Sequence, residues 1–182
     1  MKTLVIHPKD SSTDFLSVIY ADKKDWTIIN DLDVSSKILK EQIKSHDRIV
    51  MLGHGTEQGL IAMKNRYDFR YIISSSWVFL LREKECVCIW CNADVFVKKY
   101  ELKGFYTGMI ISESDEANLY CIPSKYEDIQ QSNTLFADSV SKSIDSTDML
   151  TEMVSSYNGE GNPIIAFNKD NLYHSNNGKQ TT

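Results

Sequence analysis

The sequence predicts an α/β fold, a three-layer αβα sandwich in which helices cover both faces of a mostly parallel sheet. The first observation is a set of short, nearly apolar runs at residues 3–6, 26–29 and 48–52. Such runs are typical of strands that are buried on both faces. The second observation is that apolar residues recur at helical spacing between the runs. Strands that alternate with helices indicate parallel pairing through helical crossovers.

Small polar side chains mark the helix starts in this first part of the chain, because they can cap free backbone N–H groups. Residues 11–13 offer three possible caps for a helix that runs to about Ile19. Asp33 or Ser35 is expected to cap a second helix, which ends near His46.

The pattern continues through the rest of the chain with less regularity. A short strand or hairpin arm, a helix, a strand, a second helix and a strand containing Gly108 are predicted at residues 59–62, 76–81, 86–90, 93–101 and 105–111. The polar residues 112–116 are expected to close the last strand as a loop. Two helices follow at residues 126–144 and 147–157, the second capped by Asp145 or Ser146, and a terminal hairpin pairs residues 163–167 with residues 172–174.

Length and composition bound the number of domains. A chain of 182 residues, 42% of them hydrophobic, can fill one core, and no linker or internal repeat divides it. We therefore expect a single domain over residues 1–174. Residues 175–182 are polar and are expected to form a disordered tail.

Charge and hydropathy argue against nucleic-acid and membrane partners. The net charge is -5, and no run of Lys or Arg is present to form a positive stripe for phosphates. The apolar stretch before His7 spans about four residues, too few for a signal-peptide core of roughly 7–15 residues. Charged residues interrupt every apolar run before about 18 residues, the length of a membrane span. We expect a cytoplasmic protein that binds neither nucleic acid nor membrane.

The four cysteines are interpreted as thiols, because an intracellular chain of this kind keeps its cysteines reduced. Three of them, Cys86, Cys88 and Cys91, are close enough in sequence to suggest a zinc site. In a strand, however, Cys86 and Cys88 point to one face and Cys91 to the other, so the three sulfurs cannot converge. We expect no metal, and we interpret Cys86 and Cys88 as small buried residues.

The residues that can carry chemistry follow two predicted strands. His54 comes after the strand at residues 48–52, and Cys91 comes after the strand at residues 86–90. The carboxyl ends of parallel strands meet at one edge of a sheet, so residues from separate βα units can be neighbours there. A nearby imidazole allows a thiol to act as a thiolate nucleophile at neutral pH. We therefore predict a catalytic His54/Cys91 dyad.

Backbone N–H groups beside the dyad are candidates for an oxyanion hole. Gly55 has no side chain, so its N–H can approach a carbonyl oxygen closely. The N–H of Cys91 lies near the predicted start of a helix, whose dipole also favours the thiolate.

These motifs and their order resemble those of the caspase-like cysteine peptidases, a group that includes caspases, gingipains and CHAT-type peptidases. Residues 48–55 resemble the strand that ends in His-Gly, residues 86–94 the nucleophile strand, and residues 103–112 the strand after it. The resemblance covers about residues 1–116. It implies that His54 is the general base or acid, that Cys91 is the nucleophile, and that the substrate is a peptide or protein.

Two further features bear on substrate binding. The resemblance leads us to expect Ala or Ser before the nucleophile, whereas Trp90 stands here, and a bulky ring at this place is expected to narrow a substrate groove. Several members of the group use an acidic residue near the nucleophile or the following strand to select a basic side chain. By that resemblance Asp94, Glu113 and Asp115, with Glu116 as a further candidate, predict a preference for Lys or Arg before the scissile bond. A polar run at a strand end is also typical of a solvated loop.

Two functional classes are compatible with the sequence. The first is a cysteine peptidase that uses His54 and Cys91, and the second is a catalytically inactive binding or regulatory module with the same fold. No GxGxxG or P-loop motif follows a predicted strand, so no nucleotide cofactor is expected. His7 also ends a strand and can approach the same edge, although a polar residue that starts a loop is the simpler interpretation.

Overall fold

Strands and helices alternate along most of the chain. The protein is described here by a computed structural model, which covers residues 1–65, 67–176 and 179–181. The strands in this part of the chain are β1 (Thr3–Ile6), β2 (Thr27–Ile29), β3 (Arg48–Leu52), β4 (Gly55–Thr56), β5 (Gly59–Asn65), β6 (Asp68–Tyr71), β7 (Glu85–Ile89), β8 (Lys103–Thr107), β9 (Leu172–Asn176) and β10 (Lys179–Thr181). The α-helices are α1 (Ser36–Ser45), α2 (Val78–Leu81), α3 (Ala93–Tyr100), α4 (Ser114–Leu119), α5 (Tyr126–Ser143), α6 (Met149–Ser156) and α7 (Pro163–Lys169). Two 3-10 helices, Asp14–Tyr20 and Ser75–Trp77, precede β2 and α2.

Seven strands form the central sheet, in the order β10-β9-β8-β7-β3-β1-β2. The five strands from β8 to β2 are parallel to one another. β9 runs antiparallel to β8, and β10 runs antiparallel to β9. β4, β5 and β6 form a separate antiparallel sheet that follows β3 in the chain. The predicted α/β class with a mostly parallel sheet is confirmed.

Two hydrophobic cores cover the two faces of the central sheet, because alternate residues of each strand point in opposite directions. In β3, Ile49 and Met51 lie in one core with α1, α2 and α3. Val50 and Leu52 lie in the other core with the 3-10 helix Asp14–Tyr20, α5 and α6. All four side chains are completely buried. Helices on both faces are the arrangement expected of a three-layer αβα sandwich.

The caps of two helices test the expected starts. Ser35, one of two predicted caps, accepts a hydrogen bond from the N–H of Ile38 at 3.3 Å at the start of α1. At α6 the cap is Asp148, which accepts from Thr151 at 3.3 Å, so this helix starts later than Asp145 or Ser146 would place it.

Within the described residues, no helix combines the length and the apolar character needed to cross a membrane.

Three predicted elements after β7 differ from the structure. β8 ends at Thr107, so Gly108 lies beyond the strand. Residues 112–116 are not only a loop, because α4 begins at Ser114. Residues 163–167 form helix α7 instead of a strand. The side chain of Asn162 accepts from the N–H groups of the second and third residues of this helix, at 2.9 and 3.2 Å, and stabilises its first turn.

Two strands lie in the described part of the C-terminal segment. β9 continues to Asn176, and Ser175 is completely buried where it pairs with Gly104 of β8. Lys179–Thr181 forms β10 along β9. The edge of β8 offers the backbone groups for this pairing. Residues 177, 178 and 182 lie outside the described part of the chain.

Candidate functional site

His54 and Cys91 occupy equivalent positions after neighbouring parallel strands. β3 pairs with β7 in a register that places Leu52 beside Ile89, the last residue of each strand. His54 and Cys91 are each two residues farther along. The N–H of Gly53 donates to the carbonyl of Ile89 at 3.1 Å, which extends the pairing beyond the strand ends. Sheet register therefore brings the two side chains to the same edge.

Both residues line one small cavity at this edge. Its volume is about 30 Å³, which gives room for a water molecule but not for a peptide. Side chains from the Asp14–Tyr20 helix, from α5 and from the segment after β8 complete its walls. The lining residues are Thr13, Phe15, Leu16, Gly53, His54, Ile89, Trp90, Cys91, Ile110, Ser112, Glu116 and Phe136.

The surroundings of the Cys91 thiol favour its protonated form. The thiol donates a weak hydrogen bond to the carbonyl of Ile110, with the sulfur and oxygen 3.7 Å apart. Burial raises the pKa of Cys91 to about 12, and the negative charge of Glu116 acts in the same direction. At neutral pH these surroundings therefore favour the thiol over the thiolate that nucleophilic attack requires.

Glu116 is fixed in place by the backbone at the start of α4. One of its carboxylate oxygens accepts from the N–H groups of Ser112 at 2.7 Å and Glu113 at 3.1 Å. These bonds form part of a capping box. The charge that acts on Cys91 is thus held by the local fold.

His54 is hydrogen-bonded to a serine that in turn contacts a carboxylate. The Nε2 atom of His54 lies 2.6 Å from the Oγ of Ser12. The Oγ of Ser12 lies 2.7 Å from Oδ1 of Asp10, and the same carboxylate oxygen is 3.7 Å from Nε2 of His54. Burial acts to raise the pKa of Asp10, but hydrogen bonds from Ser12 and the charge of His54 lower it below its usual value. Asp10 is therefore a carboxylate beside the imidazole.

Gly55 is required by the packing of Trp90. A Cβ atom at this position would lie 2.1 Å from the indole ring. Trp90 is 2% exposed, packs edge-to-face on Phe96 and donates from its indole N–H to the carbonyl of Thr56 at 3.0 Å. The ring forms part of the cavity wall beneath the β4–β5 hairpin.

The N–H of Gly55 is directed away from β5. The carbonyl of His54 accepts from the N–H of Ile61 at 2.8 Å, so these two residues form a hydrogen-bonded pair. The next pair in an antiparallel ladder, Gly55 with Leu60, is then a non-hydrogen-bonded pair, whose N–H groups point outward. The N–H of Gly55 is therefore not used in the pairing with β5, and Gly55 does not line the cavity of His54 and Cys91.

Glu113 and Asp115 line a second, larger cavity that adjoins the first. Its volume is about 600 Å³, and Phe15 and Ser112 belong to the walls of both cavities. The other side chains of the second cavity are mostly hydroxyl and amide groups. Its lining residues are Ser11, Ser12, Phe15, Ser112, Glu113, Ser114, Asp115, Tyr126, Ile129, Gln130, Asn133 and Thr134.

Asp94, the third predicted substrate-binding residue, is placed differently. Its carboxylate pairs with Lys98 at 3.1 Å, one turn along α3. Lys98 also lies over the ring of Tyr173, 4.9 Å from its centre. The structure thus brings Glu113 and Asp115 to a common cavity beside the dyad and directs Asp94 to a surface ion pair.

Asp10 and Ser12 are neighbours of His54 that were not predicted from the sequence. They follow β1, and β1 lies next to β3 in the sheet. The sequence contains part of the signal for this contact, because the polar residues 10–12 follow a predicted strand that ends at the same edge of the sheet. What the sequence alone does not give is the strand order.

The surroundings of His7, Cys86 and Cys88 indicate structural roles for these residues. His7 is 3% exposed, and its ring nitrogens lie 2.9 Å from the hydroxyl of Tyr20 and 3.3 Å from that of Thr13. Burial lowers the pKa of His7. Cys86 and Cys88 lie within the core formed with α1, α2 and α3. Across the described residues, no group of three or more His, Cys, Asp or Glu side chains is placed to hold a metal ion.

Comparison with known proteins gives no family assignment. No family model matches the sequence, and no curated protein matches it. The resemblance to caspase-like peptidases therefore rests on the order of the His-Gly and Cys motifs in the sequence alone.

Proposed function

We propose that this chain is a caspase-like cysteine peptidase in which Cys91 is the nucleophile and His54 is its base. The observation that carries this proposal is that the two residues extend from equivalent positions of neighbouring parallel strands and line one cavity. This placement supports a shared role, because a nucleophile and its base must be neighbours at an accessible edge.

The proposed reaction begins with the widening of the small cavity, which is too small for a peptide. A peptide has to displace the wall formed by Ile110 and Ser112, which removes the thiol from the Ile110 carbonyl and exposes it to His54. His54 then takes the thiol proton, and the thiolate attacks the peptide carbonyl carbon. The N–H groups of Gly55 and Cys91 hold the oxyanion. Protonation of the leaving amine by His54 and hydrolysis of the acyl-enzyme complete the cycle.

The second cavity supplies the proposed binding site for the side chain before the scissile bond. Glu113 and Asp115 give it two carboxylates, and its volume of about 600 Å³ accommodates a long side chain. Positive groups are therefore favoured over acidic ones there. We propose Lys or Arg as the preferred residue.

A peptide-based electrophile tests the dyad and the preference together. We expect a peptidyl acyloxymethyl ketone with Arg beside the reactive carbonyl to label Cys91 stoichiometrically and to spare the exposed Cys121. The matching Asp reagent should react more slowly, and His54→Ala should abolish labelling. Mass spectrometry of the cysteine-containing peptides measures each rate, and Asp94→Asn serves as the matched control because Asp94 pairs with Lys98. Labelling of Cys121 as fast as Cys91, or unchanged labelling in His54→Ala, would contradict the proposal.

A binding or regulatory module is the second candidate, and the environment of the thiol favours it. The raised pKa of Cys91 and the small volume of its cavity suit a buried, unreactive cysteine. In that case the 600 Å³ cavity with Glu113 and Asp115 would hold a basic ligand without cleavage. Binding of an Arg-containing peptide, abolished by Glu113→Gln with Asp115→Asn but without any labelling of Cys91, would favour this module over the peptidase.

A further inference from the structure

We propose that Asp10 and Ser12 act as positioning residues that hold His54 in its Nε2–H form, so that Nδ1 is the nitrogen that accepts the proton of Cys91. The last step rests on the proposed function, whereas the position of the proton on His54 does not. The loop after β1 thereby becomes part of the site that His54 and Cys91 form.

The positions of the protons follow from the contacts of Ser12. Its Oγ lies 2.7 Å from Oδ1 of Asp10 and 2.6 Å from Nε2 of His54. A hydroxyl has one hydrogen, and an ionised carboxylate can only accept a hydrogen bond. Ser12 therefore donates to Asp10, and it must accept from His54. Hence Nε2 of His54 carries a hydrogen, and Nδ1 of the neutral ring has the free lone pair.

The loop geometry keeps this arrangement in place. Oδ1 of Asp10 also accepts from the backbone N–H of Ser12 at 2.9 Å, and the carbonyl of Asp10 accepts from the N–H of Thr13 at 3.2 Å. The backbone N–H of Lys9 donates to the carbonyl of Asn30 at 3.1 Å, which ties the start of the loop to the residue after β2. Ser12 therefore reaches His54 from a turn that is fixed on both sides.

Proton transfer through this arrangement is balanced. The S–H bond of Cys91 breaks, its proton binds Nδ1 of His54, and the electron pair stays on sulfur as the thiolate. The imidazolium then donates from Nε2 to Ser12, and the carboxylate of Asp10, 3.7 Å from Nε2, stabilises the positive charge. No proton or leaving group departs from the site before the thiolate attacks the peptide carbonyl carbon.

Other charged or titratable groups face the same ring. His7 interacts electrostatically with His54, but burial lowers the pKa of His7 and keeps it neutral near pH 7. Glu116 and Cys91 line the cavity with His54. Glu116 accepts from the backbone N–H groups of Ser112 and Glu113, whereas Asp10 is the carboxylate that contacts Ser12 and lies 3.7 Å from Nε2 of the ring.

Nitrogen-15 NMR of histidine-labelled protein tests the proton position. At a pH where His54 is neutral, we expect a protonated Nε2 and an unprotonated Nδ1, with the signal assigned by its loss in His54→Gln. Asp10→Ala, which removes the acceptor of the Ser12 hydroxyl, and Ser12→Ala should remove this preference, whereas Ser12→Thr, which keeps the hydroxyl, should retain it. Asp14→Asn, an exposed carboxylate of the same segment, is the charge control. A neutral His54 that carries its proton on Nδ1, or that is unchanged in both disruptive variants, overturns the proposal.

Labelling of Cys91 by the Arg-containing acyloxymethyl ketone tests the link to the thiol. We expect about tenfold slower labelling in Asp10→Ala and Ser12→Ala, with the largest loss at low pH, where imidazolium formation matters most. Asp14→Asn should retain the rate, because Asp14 lines neither cavity. If the two disruptive variants change the tautomer but not the rate, the relay does not serve Cys91. If the tautomer is as proposed but Cys91 is never labelled, the peptidase proposal fails while the assignment of the His54 proton stands.

Discussion

Cys91 lies beside a negative charge that opposes its ionisation, although burial has the larger effect. Glu116 raises the pKa of the thiol, and the hydrogen bond from the thiol to Ile110 does not offset the two effects. Since the carboxylate is held by the N–H groups of Ser112 and Glu113, it cannot turn away without the loss of those bonds. Such an arrangement keeps a thiol unreactive until the surrounding chain moves.

Glu116→Gln should therefore increase the reactivity of Cys91. Glutamine keeps an acceptor for the backbone N–H groups and removes the charge, so the pKa of Cys91 falls and the thiolate fraction rises, by about three- to tenfold at a given pH. The measurement is the rate of iodoacetamide modification against pH, with Cys121 in the same sample as an internal reference. Glu127→Gln, at an exposed position in the first turn of α5, is the matched control. A slower or unchanged rate at Cys91 would show that Glu116 does not act on the thiol.

The residues of the candidate site were predictable only where a strand end gives a direct signal. His54 and Cys91 each follow an apolar run, so their arrival at one edge could be inferred from sequence. Asp10 and Ser12 could not be assigned to His54, because their contact depends on β1 lying beside β3. The placement of Asp94 depends on a side-chain pair with Lys98, and the sequence does not distinguish this pair from a pocket.

At the level of elements, one asparagine of α7 holds the chain segment that covers Cys91. Asn168 is 1% exposed, accepts from the N–H of Ile111 at 2.8 Å and donates to the carbonyl of the same residue at 3.0 Å. It also donates to the hydroxyl of Tyr157 at 3.1 Å. Ile111 follows Ile110, whose carbonyl accepts the hydrogen bond from the Cys91 thiol. Helix α7 thus fixes the wall of the small cavity.

Asn168→Ala should destabilise the protein and expose Cys91. The substitution leaves the buried N–H and carbonyl of Ile111 without their partner, which costs about 2–4 kcal/mol of unfolding free energy. Urea denaturation measures that loss, and iodoacetamide modification of Cys91 should accelerate under native conditions because the covering segment opens more often. The control is Asn118→Ala, since Asn118 lies exposed on α4. Full stability in Asn168→Ala would mean that the Ile111 groups find other partners.

Helix α7 also shows why some elements were mispredicted. The five residues from Pro163 are nearly all apolar, and a run of this length fits a strand as well as a buried helix turn. The signal that distinguishes the helix is the pair Asn162-Pro163, because asparagine caps the helix and proline is favoured as its first residue. α4 was missed for a related reason, since the polar stretch from Ser112 reads as a loop until Glu116 is seen to complete a capping box.

At the scale of the whole molecule, a buried arginine connects the amino edge of the sheet with the end of α5. Arg48 is 3% exposed and donates to Thr3, to the carbonyl of Ile144 and to the carboxylate of Asp145, the last at 2.7 Å. Lys23 binds the same carboxylate at 3.0 Å. These contacts join segments that are far apart in the sequence, and apolar patterns do not reveal them. The sheet and its helices were predictable because their periodicity is local, whereas this cluster depends on the finished fold.

Asp145→Asn should lower the free energy of unfolding at neutral pH and make this free energy less dependent on pH in the acid range. Burial acts to raise the pKa of Asp145, but hydrogen bonds from Arg48 and Lys23 lower it below its usual value. The carboxylate therefore stabilises the fold at pH values above the unfolded pKa of about 3.9, and this contribution is lost as the pH falls through the lower folded value. Because Asp145 is half-exposed, the loss at pH 7 should be about 1 kcal/mol after solvent screening. Urea unfolding at pH 7, 5 and 3 measures it, with the exposed Asp22→Asn as control. A difference from the unmodified protein that persists undiminished at pH 3 would show that Asp145 acts through packing rather than through its charge.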